Sequence, residues 1–383
     1  LTLTRESDES MKRIALAAAS LAAVTALALT GCSSSGRGGD ATASAGAAAG
    51  FAADASIGIA LPDKTSENWV LAGDLFKNGL EQAGFKADVQ YAPASNTVAE
   101  QQNQISSMIT NGAKVIVIGA KDGKQLGTQL QQAADAGVTV IAYDRLIENT
   151  PNVNYYVAFD NFKVGELQGQ ALLDGLQKRS GHGAPWNIEL FSGSPDDANS
   201  AVFFNGAMKV LQPKIDDGTL KVVSGQTAIQ QTATQGWKAE NAQSRMDSLL
   251  TANYTSATID GVLSPNDTLA RAIITSVKQA GKNISQFTVT GQDSEAESVK
   301  SIMAGEQYST INKDTSLLVA QTIKMIQSLQ KGETPEVNDT TQYNNGVKVV
   351  PAYLLPPVIV TKENAAEAYA NSPKLLDIVK AAQ

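Results

Sequence analysis

Two rhythms of apolar and polar residues alternate along this chain. Short apolar runs, such as Ile57-Gly58-Ile59-Ala60-Leu61 and Val115-Ile116-Val117-Ile118, read as buried strands. Between them apolar positions recur every three or four residues, which reads as amphipathic helix. The first half predicts strand 55–61, helix 69–83, strand 87–91, helix 98–111, strand 114–118, helix 125–136 and strand 138–143. Gly84, Gly112 and Gly137 follow the three helices, where a helix ending in the left-handed conformation places glycine. The pattern restarts after Asp160-Asn161 with helix 162–177, strand 188–191, helix 199–211, strand 220–224, helix 239–251, strand 261–264, helix 268–280 and strand 286–291. Helix 298–304, strand 308–311, helix 316–330 and strand 347–353 follow. Strand and helix repeated this way predict an α/β fold of parallel sheets covered by helices on both faces. The recurrence of the unit predicts two similar, doubly wound lobes.

Ahead of residue 54 the pattern is different. Met11-Lys12-Arg13 precede an apolar stretch, 14–29, that ends in Leu29-Thr30-Gly31-Cys32. A basic start, a short apolar core and small residues make a secretory signal. The small-Gly-Cys ending resembles the bacterial lipobox, whose cysteine is lipidated and becomes the new N-terminus. Residues 1–10, ahead of Met11, are untranslated or extend the basic region. The apolar stretch is short and alanine-rich for a membrane span. Residues 33–53 are Ser, Gly and Ala with almost no large apolar side chain, which predicts a flexible spacer. The reading is therefore a lipoprotein signal at 1–32, a spacer at 33–53 and a protein held outside the cell membrane through Cys32.

Composition narrows the chemistry. The net charge is −8 and no basic block occurs after the signal, so no nucleic-acid partner is expected. Cys32 is the only cysteine and leaves no thiol for a disulfide. The one histidine, His182, sits in the loop Ser180-Gly181-His182-Gly183 and is expected to face solvent. A Ser-His-Asp site or a Cys/His zinc cluster needs better-placed ligands. No metal, cofactor or enzymatic activity is expected. Neither G-x-G-x-x-G nor a P-loop follows a strand, which argues against a nucleotide or phosphorylated ligand.

Ligands of parallel sheets gather beyond the carboxyl ends of the strands. The residues there are Asp63, Lys64, Asn68 and Trp69; Asp144 and Arg145; Ser194, Asp196, Asp197 and Asn199; Asn266 and Asp267; Gln292 and Asp293; and Asn312, Lys313 and Asp314. Carboxylates and amides can accept from hydroxyl groups while Arg and Lys donate, through the stronger charge-assisted bonds. Trp69 and Trp237 could sandwich the apolar face of a ring. The mixture suits an uncharged, polyhydroxylated ligand. Singly each residue also has a plain structural reading. Asp144 and Arg145 could pair on the surface; Asp196, Asp197, Asn266 and Asp267 could cap helices. Either tryptophan could be core, and Lys64 and Lys313 could be solvated. The case rests on their recurrence along one edge of both sheets.

Several segments then carry a resemblance: 142–147 (AYDRLI), 159–161 (FDN), 193–197 (GSPDD), 264–267 (SPND), 291–293 (GQD), 304–311 (AGEQYSTI) and 336–340 (EVNDT). From about residue 56 to about 364 the chain resembles the periplasmic sugar-binding proteins of ABC importers, of the ribose, xylose and galactose type. The likeness is to the xylose-binding and multiple-sugar-binding members. It implies the type I periplasmic binding protein fold, two lobes joined by a three-strand hinge. The implied lobes are 54–161 plus 314–345 and 162–313 plus 346–383, with crossings near 161–163, 312–314 and 343–350. The implied pocket falls on Trp69, Asp144, Arg145, Asp197, Asn199, Trp237, Asn266, Asp293 and Lys313, to which the strand-end reading adds Lys64 and Asn68. Members often carry arginine just before the first tryptophan; Asn68 stands there instead, which bears on the choice of sugar.

The resemblance implies a monomeric, lipid-anchored receptor that captures a monosaccharide and hands it to the permease subunits of an importer. A sensor that presents the sugar to a membrane receptor kinase is the alternative. A sugar-responsive repressor would need a DNA-binding module where the signal and spacer stand. An enzyme would need opposed acid and base roles, which the adjacent Asp196 and Asp197 do not establish.

Overall fold

The computed structural model describes residues 50–93 and 98–383. Cys32, the signal and spacer residues 33–49 lie outside the described residues. The first lobe begins with β1 (Ser56–Leu61), α1 (Glu67–Gln82), β2 (Lys86–Tyr91), α2 (Val98–Thr110), β3 (Val115–Ile118), α3 (Gly127–Asp135), β4 (Thr139–Tyr143) and β5 (Tyr155–Phe159). Every residue of β3 is buried, as a strand covered on both faces requires. Its side chains alternate between two cores. Ile116 and Ile118 pack with Ile105 of α2 and Leu130 of α3, while Val115 and Val117 join Phe76 and Leu80 of α1.

The second lobe contains α4 (Asn161–Arg179), β6 (Trp186–Leu190), α5 (Ala198–Asp216), β7 (Leu220–Val222), α6 (Ile229–Thr232), α7 (Ala239–Asn253), β8 (Gly261–Leu263), α8 (Asp267–Gln279), β9 (Thr288–Val289), α9 (Ala296–Met303) and β10 (Ser309–Asn312). The chain returns to the first lobe for α10 (Thr315–Gln330) and β11 (Ala352–Leu355), then ends with β12 (Val358–Thr361), α11 (Ala365–Ala368) and α12 (Pro373–Ala381) in the second. The first sheet has the order β11-β5-β4-β3-β1-β2, all parallel. The second has the order β7-β6-β8-β9. The antiparallel pair β10–β12 continues past its edge, through bonds from Tyr308 N to Val289 O (3.0 Å) and from Asp293 N to Ile311 O (2.9 Å). Helices α4 and α5 meet backbone to backbone: a Cβ on Gly165 would lie 2.0 Å from Phe203 O.

Three crossings join the lobes. Asp160 caps α4 at the first, accepting from Lys163 N at 3.0 Å. Asp314 caps α10 at the second, accepting from Ser316 N at 2.9 Å. The third is Pro356-Pro357, between β11 and β12. That differs from the crossing expected near 343–350. The strand expected at 347–353 is β11 at 352–355, and it pairs parallel with β5 in the first sheet. Residues 346–355 therefore go with the first lobe, not the second. The reason is local: Asn345 Oδ1 accepts from Val347 N (3.1 Å) and Lys348 N (3.0 Å), so a side-chain-bonded turn displaces the strand there.

Residues 50–53, expected in the spacer, belong to the folded part. Phe51 packs at a tilt against Phe85 with ring centroids 6.3 Å apart, and its N–H donates to Gln330 O at 3.0 Å. One large apolar side chain is enough to dock residues 50–53 onto the first lobe. Strand β5 and the last strand, β12, were not expected either.

Candidate ligand-binding cleft

The carboxyl ends of both sheets open on one cleft of about 670 Å³ between the lobes. Ser66 caps α1, and the first turn of that helix brings Asn68 and Trp69 to the cleft. Trp69 leans on Tyr143, with centroids 6.1 Å apart, and on Gly119, where a Cβ would stand 2.9 Å from the indole. Trp237 rests in the same way on Gly193, where a Cβ would lie 2.2 Å from the ring. Both indoles thus need a glycine beneath them, which fixes their height in the wall.

Three residues of this wall have left-handed backbone, Asp144 (φ 62°), Trp237 (φ 56°) and Asp293 (φ 94°), as does Ser294 (φ 52°) next to the last of them. Such conformations persist where the surroundings hold them, and they cluster at functional sites. At Asp144 the support is plain. Its N–H donates to Val157 O (2.8 Å), and its carbonyl accepts from Tyr156 OH (2.7 Å) and Asn199 Nδ2 (2.8 Å).

The charged groups are arranged in pairs. Arg145 Nε stands 3.3 Å from Asp197 Oδ2, and Lys313 Nζ 3.0 Å from Asp293 Oδ1. Asp197 also caps α5 and accepts from Trp237 Nε1 at 3.2 Å. Asn68 Nδ2 donates to Asp293 O at 3.0 Å. The bonds Arg145–Asp197, Asn68–Asp293 and Asn199–Asp144 all run from one lobe to the other, so the lobes are closed on each other. Burial raises the Asp144 carboxyl above the usual range; Asp197 and Asp293 add to this, while Lys313 and Arg145 oppose it. Burial works against the Lys313 ammonium, but Asp293, Asp144 and Asp197 outweigh it and hold it above the usual lysine value.

Asn68, Trp69, Asp144, Arg145, Asp197, Asn199, Trp237, Asn266, Asp293 and Lys313 all line the cleft. Lys64 does not. Asp63 accepts from Thr65 N at 2.9 Å and tightens the turn, and the exposed Lys64 ammonium stands 4.6 Å from the Tyr91 ring centroid instead. Asn266 does what the capping reading expected, accepting from Leu269 N at 3.0 Å, while still facing the cleft. Lys121, paired with Asp63 at 3.0 Å, was missed, although it follows β3 and the strand-end rule reaches it. Phe203 and Glu295 also line the wall; they lie inside or beside helices, where sequence carries no such signal.

A model of the periplasmic binding protein domain matches residues 57–334. The chain belongs to the periplasmic binding protein family. The multiple sugar-binding periplasmic receptor ChvE of Rhizobium radiobacter is 52% identical over 318 residues, covering 82% of this chain and 89% of that protein. The D-xylose-binding periplasmic protein of Escherichia coli is 36% identical over 316 residues, covering 82% and 89%. Among solved structures, an ABC transporter solute-binding protein from Clostridium phytofermentans with bound β-D-glucose superposes with a TM-score of 0.79 at 40% identity, covering 84% of this chain and 99% of that one. This periplasmic binding protein has the type I fold, and like these relatives it is a binding protein rather than an enzyme.

Proposed function

We propose that this periplasmic binding protein captures a monosaccharide of the xylose, glucose or galactose type outside the cell membrane and delivers it to an ABC importer. A lipid on Cys32 holds it at the membrane. The observation that carries the reading is the pairing of Trp69 and Trp237, from opposite lobes, with the ion pairs Arg145–Asp197 and Lys313–Asp293 around one cleft. Indole faces suit the C–H face of a pyranose, and the charged groups suit its hydroxyls. The named relatives, a multiple-sugar receptor, a xylose-binding protein and a glucose-bound solute-binding protein, support that class.

Capture needs no bond to form or break. Contacts from both lobes to one ligand favour the closed arrangement about the three crossings, and the ligand shifts the population toward it. Asp144, Arg145, Asn266 and Asp293 bind hydroxyls; the tryptophans stack on the ring. Asn68, where relatives often have arginine, donates to the Asp293 carbonyl and joins the lobes rather than offering the sugar a fork of donors. Isothermal calorimetry against xylose, glucose, galactose, arabinose and ribose tests the reading. Saturable heat with at least one of them is expected. A folded sample that gives no heat with any of them rules it out.

A further inference from the structure

Asp293 reaches the cleft from a strained loop. Asp293 and Ser294 are consecutive left-handed residues, at φ 94° and 52°. Three successive N–H groups tie this loop down. Asp293 N donates to Ile311 O (2.9 Å), Ser294 N to Thr310 Oγ1 (3.2 Å) and Glu295 N to Asp267 Oδ2 (3.0 Å). These partners lie on β10 and at the start of α8, within the second lobe.

The Ser294 side chain is held from another direction. It is buried, and its Oγ accepts from the Tyr369 hydroxyl at 2.8 Å. Tyr369 follows α11 directly, 75 residues further along the chain. It is fully buried and is not among the residues that line the cleft. Its ring packs with Val299, Met303, Val360 and Val379, which fixes where the hydroxyl points. Burial pushes the phenol pKa up, so the hydroxyl keeps its proton and stays a donor.

The residue before Tyr369 reaches the other half of the ion pair. Ala368 O accepts from Asn312 Nδ2 at 3.4 Å, and Asn312 precedes Lys313. Residues 368–369 thus brace the chain neighbours of both Asp293 and Lys313, whose charged groups meet at 3.0 Å in the cleft. Strained backbone persists only while its surroundings over-determine it. Without the Tyr369 hydroxyl a buried oxygen of Ser294 loses its donor. The Asp293–Ser294 peptide can then relax and turn the Asp293 carboxylate away from Lys313.

We propose that Tyr369 is a positioning residue for sugar binding: from outside the cleft, through Ser294, it sets the direction of the Asp293 carboxylate. That role rests on the sugar-binding reading, in which Asp293 binds a hydroxyl.

The test uses the full chain as wild type, Tyr369→Phe, Asp293→Asn and the double variant. Calorimetry well below the melting temperature, with xylose, glucose, galactose, arabinose and ribose, reads affinity; circular dichroism reads folding and melting. Phenylalanine keeps the ring and removes only the hydroxyl. Tyr369→Phe is expected to weaken binding by roughly two- to tenfold, the range of one net hydrogen bond. In the Asp293→Asn background the same change is expected to weaken it by less than about twofold, because the two residues act as one unit. A lower melting temperature with wild-type affinity overturns the role and leaves Tyr369 a core residue alone. An equal loss in both backgrounds overturns it too, since Tyr369 would then act elsewhere than through Asp293. Ser294→Ala removes the same bond from the other side, is expected to show the same loss, and takes the place of Tyr369→Phe if that variant does not fold. If wild type gives no heat with any of the sugars, the function proposed above fails and this role with it. If wild type binds and Tyr369→Phe binds equally well, this role alone fails.

Discussion

Arg145 and Asp197 meet across the cleft, Nε to Oδ2 at 3.3 Å, with side chains 16% and 5% exposed. The guanidinium also donates from Nη1 to Ala120 O at 3.1 Å and lies 5.5 Å from the Trp69 ring, while Asp197 accepts from Trp237 Nε1. One ion pair therefore links both lobes and both indoles. Removing one member of a buried pair strands the other charge, which costs more than the pair itself contributes.

Arg145→Ala is accordingly expected to cost the closed form about 3–5 kcal/mol, a loss of sugar affinity on the order of a hundredfold or more. Arg145→Lys keeps the charge but lacks the planar fork that serves Asp197 and Ala120 together, and is expected to lose roughly tenfold. Calorimetry on both variants checks this; a lysine variant that binds as tightly as wild type would contradict the geometry.

The glycines under the indoles give a second prediction. Gly193→Ala places a methyl group 2.2 Å from the Trp237 ring, so the ring must move. The expected outcome is a changed tryptophan emission spectrum and affinity lowered by roughly two- to tenfold, in the range of lost aromatic contact. Gly127→Ala, where a Cβ meets nothing within 4 Å, is the control and should leave both unchanged. Equal behaviour of the two variants would mean that the height of the indole does not matter.

His182 gives a pH dependence. The ring is exposed, as expected, yet it keeps two partners: Nδ1 lies 2.7 Å from Gly183 O and Nε2 2.9 Å from Asp260 Oδ1. Two acceptors call for two N–H groups, which only the protonated imidazole has. The Gly183 carbonyl first, then Asp260, raise its pKa above the usual 6.5. A group whose pKa is raised on folding contributes stability that is complete below its unfolded value and lost as pH rises through the folded one. Melting temperature should therefore fall as the pH is raised above about 6.5 in a way that His182→Gln reduces, by a small amount because the pair is partly solvated. Parallel curves for the two proteins would remove His182 as the source.

The proposed anchor and the pocket should be separable. If Cys32 carries the proposed lipid, Cys32→Ser is expected to release the protein into the medium and leave sugar affinity unchanged, because the described residues that line the cleft all lie at 63 or beyond. Fractionation with calorimetry checks it. Loss of binding in the released protein would show that anchor and pocket are coupled.

Much of the architecture was legible in the chain. Fully buried strands such as β3 are continuous apolar runs, helices such as α8 show their spacing plainly, and glycines mark several helix ends. The strand-end rule reached most of the cleft because the rule follows from parallel topology, not from any one residue. What it could not see were partners. Lys64 and Lys121 both follow strands, yet the turn held by Asp63 sends one out over Tyr91 and leaves the other in the wall.

By itself the sequence determined the alternation of strand and helix, the two lobes, the absence of a disulfide partner for Cys32 and the residue types available at the sheet edges. These are local properties, set by periodicity and side-chain chemistry. Tertiary structure alone decided that 352–355 joins the first sheet, that Pro356-Pro357 makes the third crossing, that Arg145 faces Asp197 and that Asn199 reaches the Asp144 carbonyl. Each of these depends on where two distant segments come to lie once the lobes close. Periodicity reports which side of a segment is buried, and it carries no information about what that side will meet.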